Sequence, residues 1–264
     1  MSRLSDVLTA KAGHILNVYC TAGYPSLHDT LPVMKALQEH GADIIELGLP
    51  YSDPLADGPV IQQSNSVALA NGITIGILFE QLRDLRKTIH IPVVLMGYMN
   101  PVLQYGFERF CSDAAAAGVD GLILPDLPGH EFEREYGALV HKYGLDFIFL
   151  VTPETNEERL RKLDRLSSGF LYAVSSSSTT GRKDTGEGDS DLLEKYLVRL
   201  KEMDLKNPVL VGFGINDHAK FKTVCRHAAG GIIGSAYIKA LENSQDVNAS
   251  TKSFLLSILN PAGL

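Results

Sequence analysis

The sequence has 264 residues, with 24 basic and 31 acidic side chains and a net charge of −7 at pH 7. This acidic balance, without any block of Lys or Arg, argues against a nucleic-acid partner. Apolar residues make up 45% of the chain, which excludes disordered and collagen-like proteins. A chain of this length can bury one large core, and it fits a single α/β barrel of about 250 residues.

The sequence carries no recognisable export or membrane signal. Its first residues lead into no apolar stretch like that of a signal peptide, and no apolar run reaches 18 residues. The three cysteines, Cys20, Cys111 and Cys225, are odd in number and far apart, which argues against a disulfide framework or a zinc site. We therefore expect a cytoplasmic, soluble protein with no membrane partner.

Short apolar runs recur along the chain, each bounded by turn residues, and most are rich in Val, Ile, Leu and Phe. This composition is typical of parallel strands that are covered on both faces. In chain order the predicted strands are 15–20, 43–47, 92–96, 121–124, 146–151, 170–174, 208–213 and 230–234. Amphipathic patterns between them predict helices, among them 31–40, 77–89, 102–117 and 192–203.

Eight strands that alternate with helices predict an α/β fold of the (β/α)8 type, a TIM barrel, as a single domain over residues 1–264. The competing fold is a doubly wound open sheet, which usually carries a glycine fingerprint after its first strand. Here the first strand is followed by CTAGYP, and neither nucleotide-binding glycine motif occurs anywhere in the chain. The barrel is therefore the better interpretation.

Two loops at the predicted top of the barrel stand out. The loop at about 51–60 follows the second strand directly. The segment at about 175–190, SSSSTTGRKDTGEGDS, is poor in apolar residues and long for a connection in a barrel. It is either a solvated tether or a lid, and we favour a lid because long loops in compact domains are commonly functional.

Active sites of barrels gather at the carboxyl ends of the strands, which makes Glu46 a candidate catalytic residue. Strand alternation puts Ile44, Glu46 and Gly48 on one face. If that face is the barrel interior, burial raises the pKa of Glu46 and suits it to acid–base work, while Gly48 leaves space for a ligand. The alternative is a glutamate on the helix-facing or solvent face that pairs with Lys or Arg.

Asp57, in the loop after the second strand, is the second candidate catalytic residue. Asp-Pro and Asp-Gly form turns readily, so both Asp53 and Asp57 have a purely structural alternative, which fits Asp53 better. A carboxylate on a strand and one on a loop could together handle two protons of one substrate. The predicted strands contain no lysine and no histidine pair, so neither a Schiff-base aldolase nor a metal-dependent enzyme is expected.

Glycines at the ends of the last two strands indicate a phosphate site. GFGI, from residue 212, ends strand seven, and GGIIGS, from residue 230, ends strand eight just before a helix that begins near residue 236. Backbone N–H groups and a helix N-terminus bind phosphate at this place in many barrels, although such glycines also serve tight turns. Four further polar residues near strand ends could either contact a substrate or only pack, cap and turn: Tyr98, Asn100, Asp126 and Tyr172.

With these residues in hand, the chain resembles the tryptophan synthase alpha subunit family. The stretch IELGLPYSDPLADGPVIQ at 45–62 is similar to the signature of that family, and YCTAGYP, MGYMNP, DGLILPDLP and VGFGI support the likeness along nearly the whole chain. The resemblance implies a lyase that cleaves indole-3-glycerol phosphate to indole and glyceraldehyde 3-phosphate for tryptophan biosynthesis. It also implies that this chain holds no cofactor and no metal.

The resemblance also implies residue roles. Glu46 would be the acid–base residue, and Asp57 would stabilise positive charge at the indole N–H. The other roles would fall to a substrate pocket of Tyr172, Leu124, Phe213 and Thr180, and to a phosphate site of Gly181, Gly214, Gly234 and Ser235. The lid departs from the family pattern, because SSSSTTG stands where an arginine, a glycine and Val-Thr-Gly are common.

A partner is implied as well, namely the tryptophan synthase beta subunit in an alpha2beta2 heterotetramer, with pyridoxal phosphate bound in beta. Docking is expected around Asp53, Asn100, Pro101 and Pro128. Three alternatives stay open: a stand-alone indole-3-glycerol phosphate lyase, a weakly catalytic allosteric subunit, and another phosphate-binding barrel isomerase.

Overall fold

The computed structural model describes residues 2–11, 13–174, 187–212 and 214–260, with side chains described throughout these ranges except at 187–193. Within them the strands form one parallel sheet. The strands are β1 (Ile15–Thr21), β2 (Ile44–Gly48), β3 (Val93–Met96), β4 (Gly121–Ile123), β5 (Asp146–Phe147), β6 (Leu150–Val151), β7 (Leu171–Val174), β8 (Val209–Gly212) and β9 (Gly230–Ile233).

The sheet order is β5-β4-β3-β2-β1-β9-β8-β7-β6, and its two edges belong to one piece of chain. The predicted fifth strand, 146–151, is split at Ile148 and Phe149, and its first half pairs with β4 while its second half pairs with β7. The N–H of Ile148 binds the carbonyl of Leu122, and the carbonyl of Phe149 accepts from the N–H of Tyr172. This segment therefore joins the two edges and closes the (β/α)8 barrel that the alternation predicts.

The central strands β1 and β2 are buried at every residue, as expected for parallel strands inside a ring of helices. Their register places Tyr19 beside Glu46 and Asn17 beside Ile44. Because alternate residues share a face, the inner face of β1 carries Asn17, Tyr19 and Thr21 next to Glu46. The register therefore brings polar side chains of two strands together inside the barrel.

Helices cover the outside of the sheet. In chain order they are α1 (Arg3–Ala10), α2 (Thr30–Glu39), α3 (Pro59–Ala70), α4 (Ile75–Leu82), α5 (Met99–Tyr105), α6 (Phe107–Ala117), α7 (Gly129–Glu131), α8 (Gly137–Lys142), α9 (Glu157–Leu166), α10 (Glu187–Glu202), α11 (His218–Val224), α12 (Ser235–Leu241) and α13 (Val247–Leu259). A π-helical turn, Phe132–Tyr136, lies between α7 and α8. None of the helices in the described ranges is long and apolar enough to span a bilayer.

Two predicted helices are shorter than their sequence patterns indicate. The pattern at 102–117 is two helices, because Gly106 adopts a φ of 96° between them and breaks the helical hydrogen bonding. The pattern at 77–89 ends as an α-helix at Leu82, and a single 3-10 turn, Leu85–Lys87, follows. Both predictions were wrong in length, since an apolar stripe can continue across a break that one residue introduces.

The first helix closes the amino end of the barrel. Leu4 is fully buried, Arg3 binds Asp120 at 3.1 Å, and the hydroxyl of Ser2 binds Asp146 at 2.8 Å. Asp120 and Asp146 stand at the amino ends of strands β4 and β5. The opposite, carboxyl end of the strands is therefore the one available to a substrate.

Candidate active site

Glu46 points into the barrel interior and is completely buried. Its Oε2 accepts a hydrogen bond of 3.0 Å from the side-chain amide of Asn17 on the neighbouring strand. Burial raises the pKa of Glu46 to about 8, although the Asn17 hydrogen bond lowers it and the nearby Asp57 charge raises it further. Glu46 is therefore protonated at neutral pH, and the interpretation as a surface glutamate was wrong.

The second carboxyl oxygen of Glu46 remains available. Oε1 is buried and has no hydrogen-bond partner among the described residues. Burial raises the pKa of the Tyr172 and Tyr19 hydroxyls, and the carboxyl groups of Glu46 and Asp57 raise both further. The interior end of the site thus combines one unpaired carboxyl oxygen with two phenols that stay protonated.

Gly48 and Gly212 make room for these two tyrosine rings. A Cβ atom at Gly48 would collide with the hydroxyl oxygen of Tyr19, and a Cβ at Gly212 would collide with the ring of Tyr172. The expectation that Gly48 leaves space for a ligand was therefore wrong, because the Tyr19 ring fills that space.

Asp57 is held in the loop after β2 by Tyr98. The Tyr98 hydroxyl donates to Oδ2 of Asp57 at 3.0 Å and accepts from the N–H of Ala56 at 3.1 Å. Burial raises the pKa of Asp57 to about 6, against the lowering effect of the Tyr98 hydrogen bond. Asp57 is therefore mostly ionised at neutral pH, in contrast to Glu46.

Asp53 has a different environment in the same loop. It is exposed, its carboxylate accepts from the Ser52 hydroxyl at 2.5 Å, and its carbonyl accepts from the N–H of Leu55. Leu55 is 88% exposed, which is unusual for a leucine. This part of the loop presents both an acidic and a large apolar side chain to solvent.

The remaining polar residues at the rim organise its backbone. Asn100 donates to the hydroxyl of Tyr51 at 2.9 Å, and the Tyr51 ring lies 5.5 Å from that of Tyr98. Both carboxylate oxygens of Asp126 accept from the N–H of Met99, at 3.0 Å each, so Asp126 binds the start of α5 and does not cap the helix that follows it. Asn100 and Asp126 thus connect neighbouring loops.

The glycine-rich ends of β8 and β9 lie on adjacent strands. Gly214 has a φ of 45° and is exposed, and Gly234 directly precedes α12, whose first residue is Ser235. A Cβ at Gly234 would meet only ordinary contacts, the nearest being Tyr19 Cβ at 3.5 Å. The fold alone therefore does not require a glycine at position 234, whereas a ligand close to the backbone would.

The other predicted site residues divide into two groups. Leu124 is buried directly after β4. Pro101, in the first turn of α5, and Pro128, directly before α7, are half-buried. Thr180, Gly181 and Phe213, with most of the predicted lid, lie outside the described residues.

Three residues near the site were not singled out from the sequence: Asn17, Tyr19 and Tyr51. A polar residue at Asn17, inside an otherwise apolar strand, was the available signal, and alternation would have put it on one face with Tyr19. Among the described residues no three His, Cys, Asp or Glu side chains converge on a possible metal position.

Comparisons with known proteins agree over nearly the whole length. The family model described as tryptophan synthase alpha chain matches residues 6–259. The chain is 50% identical to the tryptophan synthase alpha chain of Flavobacterium johnsoniae, over 87% of this chain and 90% of that one. It is 44% identical to that of Bacteroides thetaiotaomicron, over 93% and 95%.

Solved structures are similar as well. Tryptophan synthase subunit alpha of Legionella pneumophila superposes with a TM-score of 0.87 at 36% identity, covering 98% of this chain and 97% of that one. A chain of tryptophan synthase from M. tuberculosis, in an aminoacrylate-bound form, gives a TM-score of 0.82 at 34% identity, covering 98% and 100%.

Proposed function

The chain belongs to the tryptophan synthase alpha chain family, whose members are lyases that cleave indole-3-glycerol phosphate to indole and glyceraldehyde 3-phosphate, and we propose that Glu46 and Asp57 carry this reaction here. The observation that supports the proposal best is the contrast between the two carboxyl groups. Burial raises the pKa of Glu46 to about 8 and that of Asp57 only to about 6. Two carboxyl groups with separated pKa values are a common basis for distinct acid and base roles.

The cleavage is a retro-aldol reaction that moves two protons. Protonated Glu46 donates its proton to C3 of the indole ring, which makes the ring an acceptor for the electron pair of the bond to the glycerol chain. The same carboxylate then takes the proton of the adjacent glycerol hydroxyl. The C–C bond breaks, the hydroxyl carbon becomes the aldehyde of glyceraldehyde 3-phosphate, and the electron pair restores the aromatic indole.

Asp57 acts on the other side of the ring in this proposal. Once C3 is protonated, positive charge develops at the indole N–H, and an ionised Asp57 stabilises it. Tyr98 holds Asp57 in place through a 3.0 Å hydrogen bond. The ring itself would pack against the apolar side chains of Leu124 and Phe213, with Tyr172 and Thr180 completing the pocket, since an apolar slot with few polar groups suits indole.

The phosphate is proposed to bind where strands β8 and β9 end. The N–H groups of Gly234 and Ser235 stand at the beginning of α12, where backbone N–H groups lack intrahelical partners. Gly214 and Gly181 complete this site in the proposal. Residues 1–264 then work as one barrel domain, with a catalytic loop at about 51–60 and a lid at about 175–190.

The family partners with the tryptophan synthase beta subunit. For this chain we propose a cytoplasmic alpha2beta2 heterotetramer, in which indole passes to a pyridoxal phosphate enzyme in beta and this chain binds no cofactor. The proposed docking face contains Asp53, Asn100, Pro101 and Pro128. It also contains Leu55, whose 88% exposure suits a side chain that a partner covers.

Steady-state indole release from indole-3-glycerol phosphate tests the proposal. The purified chain is assayed alone and with a tryptophan synthase beta subunit. We expect a slow rate that rises strongly on addition of beta, because a partner that binds the closed state shifts the population toward it. A fast rate that beta leaves unchanged would instead identify a stand-alone lyase, and no indole in either assay would leave an allosteric subunit.

A further inference from the structure

Asn17 and Glu46 form a hydrogen-bonded polar pair inside the barrel. Both side chains are completely buried, and the amide nitrogen of Asn17 lies 3.0 Å from Oε2 of Glu46. The two residues belong to adjacent strands, with Asn17 aligned to Ile44, two residues before Glu46. The contact therefore spans the two strands diagonally on the inner face of the barrel.

An asparagine at this position is costly for the fold. Asparagine is depleted in strand interiors. Burying its amide group costs free energy of folding unless both the N–H and the C=O end find hydrogen-bond partners. Oδ1 of Asn17 is buried with no hydrogen-bond partner among the described residues, as is Oε1 of Glu46. A buried polar group that remains half-satisfied calls for a reason other than stability.

We propose that Asn17 is a positioning residue for Glu46, whose amide N–H holds Oε2 so that Oε1 is the oxygen left to exchange protons with the substrate. This inference rests on the proposed role of Glu46 in the cleavage. The rest of the interior fits it, because the Tyr19 ring fills the space above Gly48, next to Glu46.

The amide group also matches the change that Glu46 undergoes during a turnover. An ionised carboxylate only accepts hydrogen bonds, whereas a protonated one also donates. Asn17 presents a donor, Nδ2, to Oε2. Oε2 accepts this hydrogen bond in both protonation states of Glu46, because the proton that is exchanged is carried by Oε1.

Other groups around Glu46 also respond to pH. Tyr19 and Cys20 on β1, Tyr172 on β7 and Asp57 in the loop after β2 all interact electrostatically with it. Burial raises the pKa of the two phenols and the thiol, so these stay neutral near pH 8, and of these four groups Asp57 is the one that titrates below it. A substitution at Asn17 leaves all four in place.

The test replaces Asn17 by leucine, which has a similar volume and no hydrogen-bonding group. Indole release is measured against pH with the beta subunit present. We expect kcat to fall about tenfold to a hundredfold with KM unchanged, because the lost hydrogen bond stabilises the carboxylate that forms when Glu46 gives its proton to C3, and hydrogen bonds to charged groups are the stronger ones. In the wild type the Asn17 hydrogen bond lowers the pKa of Glu46. Without that bond the pKa rises, and the alkaline limb of the kcat/KM profile moves up by about one pH unit.

Asn207→Leu is the matched control. Asn207 is also a buried asparagine whose amide donates to a carboxylate, Asp164, at 2.9 Å, but it precedes β8 at the amino end of the barrel. We expect this variant to be less stable and to keep the wild-type pH profile. A control that reproduces the kcat loss and the shifted limb would show that any lost buried amide acts this way, and would overturn the proposal.

A second measurement does not depend on turnover. The carboxyl carbon of Glu46, labelled with 13C and assigned by its absence in Glu46→Gln, is titrated by NMR in wild type and Asn17→Leu. An unchanged titration and an unchanged kcat would overturn the proposal while the lyase function stands. A wild type that releases no indole with beta would overturn the function, yet the titration would still decide whether Asn17 binds Glu46. If Asn17→Leu does not fold, Asn17→Val, whose β-branched side chain suits a strand, is measured in its place.

Discussion

The hydroxyl of Tyr98 donates to Oδ2 of Asp57 at 3.0 Å and accepts from the N–H of Ala56 at 3.1 Å. Tyr98 follows strand β3 and Asp57 follows strand β2, so one phenol fixes the loop of one strand to the end of the next. The loop carboxylate thereby obtains a defined position relative to Glu46, which is on a rigid strand.

In the wild type the hydrogen bond from Tyr98 lowers the pKa of Asp57. Replacing Tyr98 by phenylalanine removes this bond and should therefore raise the pKa of Asp57 above about 6. The acid limb of the kcat/KM profile should then move up by up to about one pH unit. Tyr105→Phe is the control, since it removes a similar 2.6 Å hydrogen bond to Asp113 away from the barrel mouth. An acid limb that stays in place in Tyr98→Phe would contradict this account of Asp57.

The wild-type enzyme should show a bell-shaped dependence of kcat/KM on pH. Activity rises as Asp57 loses its proton around pH 6 and falls as Glu46 loses its proton around pH 8. The profile is measured on indole release with beta present, with the beta reaction assayed separately so that its own pH dependence is removed. A rate that keeps increasing well beyond pH 9 would show that Glu46 does not start the reaction as an acid.

Glu46→Gln should abolish most of the cleavage and leave substrate binding intact. Glutamine keeps the shape and can still accept from Asn17, but it has no proton to donate to C3, and such groups contribute about 10²–10⁴-fold to rate. The rate is measured as indole release, and binding is measured with a non-cleavable phosphorylated indole analogue. Retention of more than half of the wild-type kcat would contradict the assignment of Glu46 as the acid–base residue.

The same variant should be more stable than wild type at alkaline pH. The folded pKa of Glu46 is about 8 and its ordinary value is 4.5, so between these values the folded carboxyl keeps a proton that the unfolded one has released. Wild-type stability therefore falls, relative to Glu46→Gln, by up to about 1.4 kcal/mol per pH unit through that window. Urea unfolding at pH 5, 7 and 9 measures the difference, and a difference that does not vary with pH would contradict the burial of an ionisable group.

Gly234→Ala should weaken substrate binding without unfolding the chain. The added Cβ has room in the fold, with Tyr19 Cβ at 3.5 Å as its nearest neighbour. A phosphate that approaches the backbone at Gly234, as proposed, would be displaced by the added methyl group. We expect KM to rise about tenfold, the equivalent of one lost charge-assisted hydrogen bond. Gly76→Ala, on the outer helix α4, is the control. An unchanged KM in Gly234→Ala would move the phosphate site elsewhere.

The sequence by itself determined the barrel, and it made Glu46 a candidate at the end of the second strand and Asp57 a candidate in the loop that follows. Apolar runs at regular spacing carry the alternation of strands and helices, and alternation within 43–48 is enough to put Glu46 on one face with Ile44. These are local patterns, so a single chain segment contains all the information they need.

Only the tertiary structure decided which face of β2 lies inside, and what meets Glu46 there. The hydrogen bond between Glu46 and Asn17 depends on the register between β1 and β2. The space at Gly48 is filled because the Tyr19 ring lies there. The barrel closes because the chain changes its pairing partner at Ile148 and Phe149. Each of these three features joins residues more than 20 positions apart along the chain. Local periodicity does not encode such pairings, because they are set by the packing of the whole barrel.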